Sequence, residues 1–195
     1  MVTDIIKKAA GAAIMIALGN YVLLKIGSPI GPFLFAFGLL GVCVLQLNLF
    51  TGKCGFWKEK NIPLKTLGVI LLVNLIAGYA AGLVFGIADP AVKEAAVEKL
   101  AVYAVSIPFF IKSVLCGIVM YVAVKEYGKG NVFGILLGVP LFIFCGWQHC
   151  IANIITIGAA GAFSVSLLLS ILVCIAGNFC GSLLMSFLCC KKSEE

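Results

Sequence analysis

Apolar stretches long enough to cross a lipid bilayer recur along the whole 195-residue chain, and they constrain its fold more than any other feature. Hydrophobic residues make up 63% of the sequence and charged residues only 11%, whereas soluble domains carry about 25% charged residues. A segment of about 20 apolar residues spans the hydrocarbon core as a helix. Inside lipid, helices also satisfy their own backbone hydrogen bonds. The sequence therefore predicts an all-α integral membrane protein.

Six spans are predicted, with boundaries good to a few residues. They cover about 9–26, 31–52, 66–87, 101–124, 131–157 and 162–188. The N-terminal segment has no cleavage-site pattern, so it is interpreted as the start of the first span. The polar loop ADPAVKEAAVEKL, residues 88–100, is expected to form a short amphipathic helix. We expect residues 1–195 to form a single transmembrane channel domain.

The distribution of lysines predicts the orientation of the spans. Positive residues concentrate on the cytoplasmic side of membrane proteins. A cytoplasmic N-terminus places ten loop and terminal lysines inside and only three outside, the three being Lys25, Lys93 and Lys99. Both termini are therefore predicted to be cytoplasmic, in a multi-pass protein of the cell (inner or plasma) membrane. The chain has no arginine and no compact basic cluster, which argues against nucleic acid as a partner.

Two sequence patterns repeat between the halves of the chain. PFLFAFG (32–38) is matched by PLFIFCG (140–146), and each precedes a polar interruption, QLNLFTG (46–52) or WQHCIAN (147–153). Each half, about 1–88 and 100–190, contains three spans, so the second half is predicted to be inverted relative to the first. Inverted repeats with interrupted helices are typical of transporters and channels, with the pathway at the repeat interface. Helices two and five are therefore predicted to be interrupted.

Glycines recur at four-residue spacing in the third and sixth spans, as Gly78, Gly82 and Gly86 and again as Gly177 and Gly181. In lipid this spacing lets helix backbones approach closely. Packing within the chain is the favoured interpretation, and a subunit interface is the alternative.

Only two ionisable residues lie well inside the predicted spans, Lys112 and His149, and no Asp or Glu does. Ionisable groups at membrane depth usually mark a pathway, and positive or neutral groups favour anions over cations. Lys112 is interpreted as an electrostatic residue of that pathway, with a structural role as the alternative. For His149 the alternative is a buried residue held by one hydrogen bond.

The polar interruption of the first half supplies a possible partner for His149. Asn48, Thr51 and Gly52 can unwind a helix, and unwound backbone at membrane depth lies against protein or a cavity. If the two interruptions face each other, Thr51 can hydrogen-bond the His149 ring. Nearby apolar side chains are then candidates for narrow constrictions, with lipid contact or core packing as the alternative; they are Phe35, Leu39, Leu49, Phe50 and Phe142.

The nine cysteines are an odd number, lie mostly in apolar runs and form no CxxC pair. They are interpreted as small packing residues. Cys189 and Cys190, beside Lys191 and Lys192, are weak candidates for palmitoylation. No metal-ligand cluster, catalytic set or nucleotide-binding loop is apparent, so neither an enzyme nor a cofactor is expected.

Several motifs resemble those of the formate/nitrite transporter family. They are LFTG (49–52) after Phe35 and Leu39, the GWQHCIAN segment (146–153), Lys112 to Cys116, and the A-G-N-x-x-G segment (176–181). The likeness runs in order through nearly the whole chain. The resemblance implies an aquaporin-like six-helix protomer, a homopentamer with one pore per protomer, and transport of formate, nitrite, hydrosulfide, lactate or related small monovalent anions.

The resemblance also implies residue roles. Thr51 lies on a mobile loop and pairs with the central His149. Leu39, Leu49 and Phe50 match one apolar slit, and Phe35 and Phe142 match the other. Lys112 matches a basic residue of many members, and Asn153 and Asn178 match polar support positions.

Two positions depart from the family pattern. Gln148 stands where members commonly carry an acidic residue, and Gly117 stands where they usually carry asparagine. With Gln148 beside it, an imidazolium at His149 lacks that neighbouring carboxylate.

The sequence is consistent with two functions. The first is a passive or proton-linked channel for small monovalent weak-acid anions; in the proton-linked form, His149 exchanges a proton with the anion. The second is a pore for a neutral solute such as water, glycerol or ammonia. Lys112 and the family motifs favour the first.

Overall fold

The computed structural model describes residues 2–189, and within that range every regular element is a helix. The α-helices are α1 (Val2–Ile26), α2 (Ile30–Val44), α3 (Phe50–Lys53), α4 (Leu64–Ala88), α5 (Pro90–Lys99), α6 (Ile107–Gly128), α7 (Phe133–Phe144), α8 (Cys150–Ala159) and α9 (Val165–Cys189). Two short 3₁₀ turns follow α3 and α5, at Cys54–Phe56 and Leu100–Val102.

Four helices, α1, α4, α6 and α9, are each long and apolar enough to cross a membrane. Large apolar side chains on their outer faces are exposed, for example Ile87 at 82% and Phe187 at 81%. A water-soluble monomer would not leave so much apolar surface uncovered. The chain is a multi-pass membrane protein.

Two further pairs of consecutive helices are α2 with α3 and α7 with α8, and the unwound stretch between the members of each pair is called a break below. Five residues without helical structure separate the members of each pair, 45–49 and 145–149. Both first helices end in the same way. Gln46 and Gly146 take left-handed conformations, with φ of 52° and 65°, and the next amides, of Leu47 and Trp147, bond back to Val42 O (2.9 Å) and Phe142 O (2.8 Å). This is the Schellman arrangement, which ends a helix and turns the chain.

A buried asparagine organises the first break. Asn74 on α4 has no exposed surface. Its Oδ1 accepts a hydrogen bond from Phe50 N at 2.8 Å. Its Nδ2 donates to Asn48 O at 3.1 Å and to Ala9 O at 2.7 Å. One side chain thus satisfies the backbone on both sides of the break and ties it to α1.

A second buried asparagine organises the other break in the same way. Asn178 on α9 accepts from Cys150 N at 2.9 Å and donates to Gln148 O and Ser113 O, both at 2.8 Å. Like Asn74 it is fully buried. The same three kinds of hydrogen bond therefore occur twice, about 100 residues apart.

The glycine series lie inside the chain. A Cβ on Gly82 or Gly86 of α4 would collide with the carbonyl oxygen of Ile155 or Ala159 on α8, and one on Gly181 of α9 would collide with that of Val114 on α6. Such contacts allow the helix backbones to touch. The favoured interpretation, packing within the chain, is confirmed for these glycines.

The polar loop forms α5, as expected. The Asp89 side chain caps it by accepting from Ala91 N at 3.1 Å, and proline occupies the next position, where a helix start tolerates it. Asp89 also pairs with Lys25 at 2.8 Å and accepts from the Tyr21 hydroxyl at 2.8 Å. These contacts, led by Lys25, hold the pKa of Asp89 at about 2, so the cap keeps its charge at neutral pH.

The fourth span begins later than predicted. The sequence suggested about residue 101, but α6 begins at Ile107. Ser106 caps it by accepting from Phe109 N at 3.3 Å, and Pro108 lies in its first turn. Apolar residues 101–105 look like span residues by composition, but the serine cap followed by proline sets the true start.

Candidate functional site

Two cavities approach the middle of the protein from opposite sides. The α5 vestibule, of about 270 Å³, lies where α5 ends, and its polar lining comprises Asn20, Lys99, Lys112, Gln148, His149 and Asn153. The α3 vestibule, of about 260 Å³, lies beside α3, and its lining includes Gln46, Lys53, Lys60 and Tyr127. A buried pair of side chains lies between the two.

That pair is Thr51 and His149. Thr51 Oγ1 lies 2.8 Å from His149 Nε2, although the residues are 98 positions apart. Thr51 is the second residue of α3, and His149 immediately precedes α8. The structure therefore brings the two interruptions together through this hydrogen bond. Both side chains are almost fully buried.

The other ring nitrogen of His149 sets its tautomer. Nδ1 accepts a hydrogen bond from Ala152 N at 3.1 Å, which caps the N-terminus of α8. A nitrogen that accepts a hydrogen bond carries no proton. The single ring proton is therefore assigned to Nε2, which donates to the Thr51 oxygen. His149 is a neutral ring with its donor directed at Thr51.

Gln148 is held by its own neighbours. Its Oε1 accepts from Asn153 Nδ2 at 3.0 Å, and its Nε2 donates to Gly146 O at 2.8 Å. An amide supplies both the acceptor and the donor that these partners need, whereas a carboxylate has no donor for Gly146 O. The hydrogen-bond partners at this break therefore favour glutamine over glutamate at position 148.

Apolar side chains lie on both sides of the buried pair. The rings of Phe35 and Phe142 meet at 90° with centroids 6.1 Å apart, and Phe142 stacks on His149 at 5.9 Å. Both phenylalanines line the α5 vestibule. On the other side, Leu39 and Leu49 line the α3 vestibule.

Phe50 lies apart from the other predicted constriction residues. Its ring stacks on Phe179 of α9, with centroids 6.4 Å apart, and it borders a groove between α4 and α9 that also includes Leu67 and Leu172. Neither vestibule is lined by Phe50. The reason is local: α3 begins at Phe50, so Leu49 and Phe50 point in different directions across the helix start.

Each vestibule is lined by two lysines. Lys99 and Lys112 line the α5 vestibule, and Lys53 and Lys60 line the α3 vestibule. Among the residues the structure describes, no Asp or Glu lines either cavity. From the sequence, only Lys112 was predicted to lie in the pathway, and the other three lysines were predicted to lie in loops. Nothing in their local pattern distinguishes them, because their position in the cavities depends on tertiary packing.

The predicted support residues lie at the breaks. Asn178 makes the three hydrogen bonds described above. The backbone amide of Asn48 donates to Lys8 O at 3.1 Å, and its carbonyl oxygen accepts from Asn74 Nδ2. Asn74 was not predicted as a support residue, yet its hydrogen bonds match those of Asn178 one for one.

The cysteines within residues 2–189 are all free thiols. Four of them are fully buried among apolar side chains: Cys54, Cys116, Cys150 and Cys174. Cys189 is exposed at the end of α9, while Cys190, Lys191 and Lys192 lie outside the described residues. The described range contains no group of three or more side chains suited to hold a metal ion.

Solved structures with this arrangement of helices are known. One, described as an FNT family ion channel, matches 93% of this chain and 84% of its own with a TM-score of 0.69 and 20% identity. Another, a pentameric formate channel with formate bound, matches 94% of this chain and 92% of its own with a TM-score of 0.71 and 17% identity. No protein-family model and no curated protein matches the sequence.

This chain has the FNT channel fold. The resemblance to the formate/nitrite transporter family that the motifs indicated is confirmed at the level of the fold. The matches cover nearly all of this chain and most of each neighbour.

Proposed function

We propose that this protein is a membrane channel for small monovalent anions of weak acids, such as formate, nitrite or hydrosulfide. The observation that carries the proposal is the charge of the two vestibules: each is lined by two lysines, and no described carboxylate lines either one. Low-dielectric walls concentrate such a potential and raise the local concentration of anions. The fold shared with a formate channel supports the same assignment.

The proposed topology has six spans in two inverted repeats, about 1–88 and 100–190, like an aquaporin protomer. In it α2 with α3, and α7 with α8, each form one interrupted span. The matched hydrogen bonds of Asn74 and Asn178 support this pairing. Lysine counting supports cytoplasmic termini, which place the α3 vestibule inside and the α5 vestibule outside.

The proposed route passes His149. An anion that reaches the ring from the α5 vestibule accepts a hydrogen bond from Nε2–H in place of Thr51 Oγ1, which lies 2.8 Å away. Hydrogen bonds to charged groups are stronger than those to neutral ones. The neutral ring can therefore favour an anion without a fixed charge that would trap it.

Proton exchange at His149 has a structural cost. A neutral imidazole cannot release its last ring proton to a weak-acid anion, so the ring must first gain a proton at Nδ1. That nitrogen accepts the capping bond from Ala152 N, and losing such a cap costs about 1 kcal/mol. Proton transfer to the anion is thus coupled to opening of the α8 cap.

The apolar residues on either side select for size and hydration. Phe35 and Phe142 border the ring on one side, and Leu39 and Leu49 lie on the other. Hydrophobic constrictions gate by dewetting, so an anion that sheds its water poorly is held back. Phe50, beside Leu49 and stacked on Phe179, is proposed to belong to the constriction on the Leu39 and Leu49 side.

We propose a homopentamer as the working assembly. The support is the wide apolar surface of α4 and α9 and the description of one structural neighbour as pentameric. The mass of the purified particle in detergent tests this directly, and a monomer contradicts it.

A neutral-solute pore is the alternative. The specific observation in its favour is the uncharged centre, because Thr51 and His149 are both neutral in the observed hydrogen-bond pattern.

Flux into liposomes distinguishes the two functions. Formate, nitrite, hydrosulfide and acetate are compared with glycerol and water at several pH values, for the wild type and His149→Ala. We expect the wild type to accelerate anion entry and His149→Ala to lose most of it. Acceleration of a neutral solute alone would overturn the proposal.

A further inference from the structure

Lys99 is the last residue of α5, and its side chain reaches into the α5 vestibule. It lines the same cavity as Lys112 and His149, although it comes from a helix that lies between the spans. The side chain is half-buried. A loop lysine without a role in the cavity would point its ammonium into bulk water.

The position of Lys99 is fixed by the packing of α5. Val92 and Ala96 on the same helix are fully buried against Ala159 and Ala160 at the end of α8. At the other end, Asp89 caps α5 and is tied to α1 through Lys25. Lys99 is therefore carried by a docked helix, with its amine over the vestibule.

The charge of Lys99 is not compensated within the chain. Among residues 2–189, no carboxylate oxygen lies within 4 Å of the amine of Lys99 or of Lys112. Asp89, at the opposite end of α5, is paired with Lys25, and the two glutamates within the helix, Glu94 and Glu98, do not line the vestibule. Burial without a partner lowers the pKa of Lys99 to about 8, so the amine is predominantly charged at pH 7.

We propose that Lys99 and Lys112 together form an anion-binding site in the α5 vestibule, which loads a small oxyanion before it reaches His149. The site rests on the proposed anion channel and adds a residue that the family motifs do not mark. The two lysines come from different elements and line one cavity, so both contribute positive potential within it. The remaining polar lining, from Gln148 and Asn153, consists of amides and adds no negative charge.

The helix supplies a matched control. Lys93 lies on α5 six residues before Lys99, is exposed, and does not line the vestibule. Removing its charge changes the net charge of the protein by the same amount as removing that of Lys99. A general surface-charge effect would therefore appear in both variants, and a site effect only in one.

The test measures initial formate uptake into proteoliposomes at pH 7 over a range of external formate concentrations, for protein inserted with α5 outward. The variants are Lys99→Gln, Lys99→Arg and Lys93→Gln, each checked for assembly and thermal stability. We expect Lys99→Gln to raise the half-saturating formate concentration about threefold to tenfold, as loss of one nearby charge implies. Lys99→Arg should restore it, and Lys93→Gln should match the wild type.

Added inert salt provides a second measurement. Screening weakens attraction between exposed charges, so uptake by the wild type at low formate should fall more steeply with salt than uptake by Lys99→Gln. If Lys99→Gln matches the wild type in both measurements, the loading site is refuted while the channel proposal stands. If the wild type itself carries no formate or related anion, the channel proposal fails first.

Discussion

The two breaks in the helices share a backbone design and differ in their chemistry. At each, a Schellman turn ends the first helix and a buried asparagine on a later helix bonds both sides of the gap. Leu49 and His149 occupy equivalent places, each in extended conformation just before the second helix begins. The first break therefore contributes an apolar side chain and the second a hydrogen-bonding ring.

The lysines near the breaks differ in the same way. The backbone carbonyls of Lys8 and Lys112 accept equivalent bonds, from Asn48 N and Gln148 N. Lys8 is paired with Asp4 at 3.4 Å, whereas no described carboxylate pairs with Lys112. The same backbone scaffold therefore occurs at both breaks with different side-chain chemistry.

Removing either buried asparagine should have the largest effect on stability. The loss should be similar at the two breaks. Asn74→Ala and Asn178→Ala each delete three hydrogen bonds and leave buried backbone groups unpaired, at about 1–3 kcal/mol for each group. We expect both variants to lose several kcal/mol of stability, measured by unfolding in detergent. Asn→Asp at each position keeps the acceptor but sets a buried carboxylate oxygen against two carbonyl oxygens, so it should be at least as destabilising as alanine. A large loss at only one position would show that the breaks are not equivalent.

Gln148→Glu should sharpen the contrast between the breaks by adding a charge to the second. At pH 7.5 the carboxylate faces Gly146 O without a donor and repels anions from the vestibule, so formate flux should fall about threefold or more. At acidic pH the protonated side chain regains a donor, and the ratio of variant to wild-type flux should rise towards one. Gln148→Met, of similar size, separates the charge from the lost hydrogen bonds. A ratio independent of pH would contradict this.

Thr51→Val should lower formate flux by an amount comparable to that of Gln148→Glu. It leaves the Nε2–H of His149 without its partner while keeping the shape of the side chain, and formate flux should fall about fivefold, as expected from about 1 kcal/mol. Thr51→Ser keeps the hydroxyl and should retain most of the flux. The two are compared at equal protein density in liposomes, and equal flux would remove Thr51 from the pathway.

Much of this arrangement could be predicted from the sequence. Hydropathy indicated the membrane helices. The match between the Pro-aromatic segments was out of register, because Pro32 lies in the first turn of α2 whereas Pro140 lies near the end of α7. The polar interruptions at 46–52 and 147–153 did indicate where α2 and α7 end. The polar residues after them suggested the contact between Thr51 and His149, which the structure contains. These features are local, or rest on the rule that polar groups in lipid need partners.

Other features depend on packing between distant elements. The first break leads into a helix of four residues and the second into one of ten, and composition does not distinguish them. The stacking of Phe50 on Phe179 was likewise not predictable from local sequence, and its role in a constriction stays a prediction. Lys99 looked like an ordinary loop lysine, because its place in the vestibule depends on the docking of α5 against α8.

The most direct test of the central claim compares formate flux and stability in His149→Asn. Asparagine is a good helix cap, so the variant keeps an acceptor for α8 but loses the Nε2–H donor beside Thr51. We predict a thermal midpoint close to that of the wild type and a formate flux at least about tenfold lower, since one hydrogen bond to an anion contributes about 1.5–3 kcal/mol. Flux within twofold of the wild type, with the protein equally stable, would contradict a role for the histidine in passing the anion.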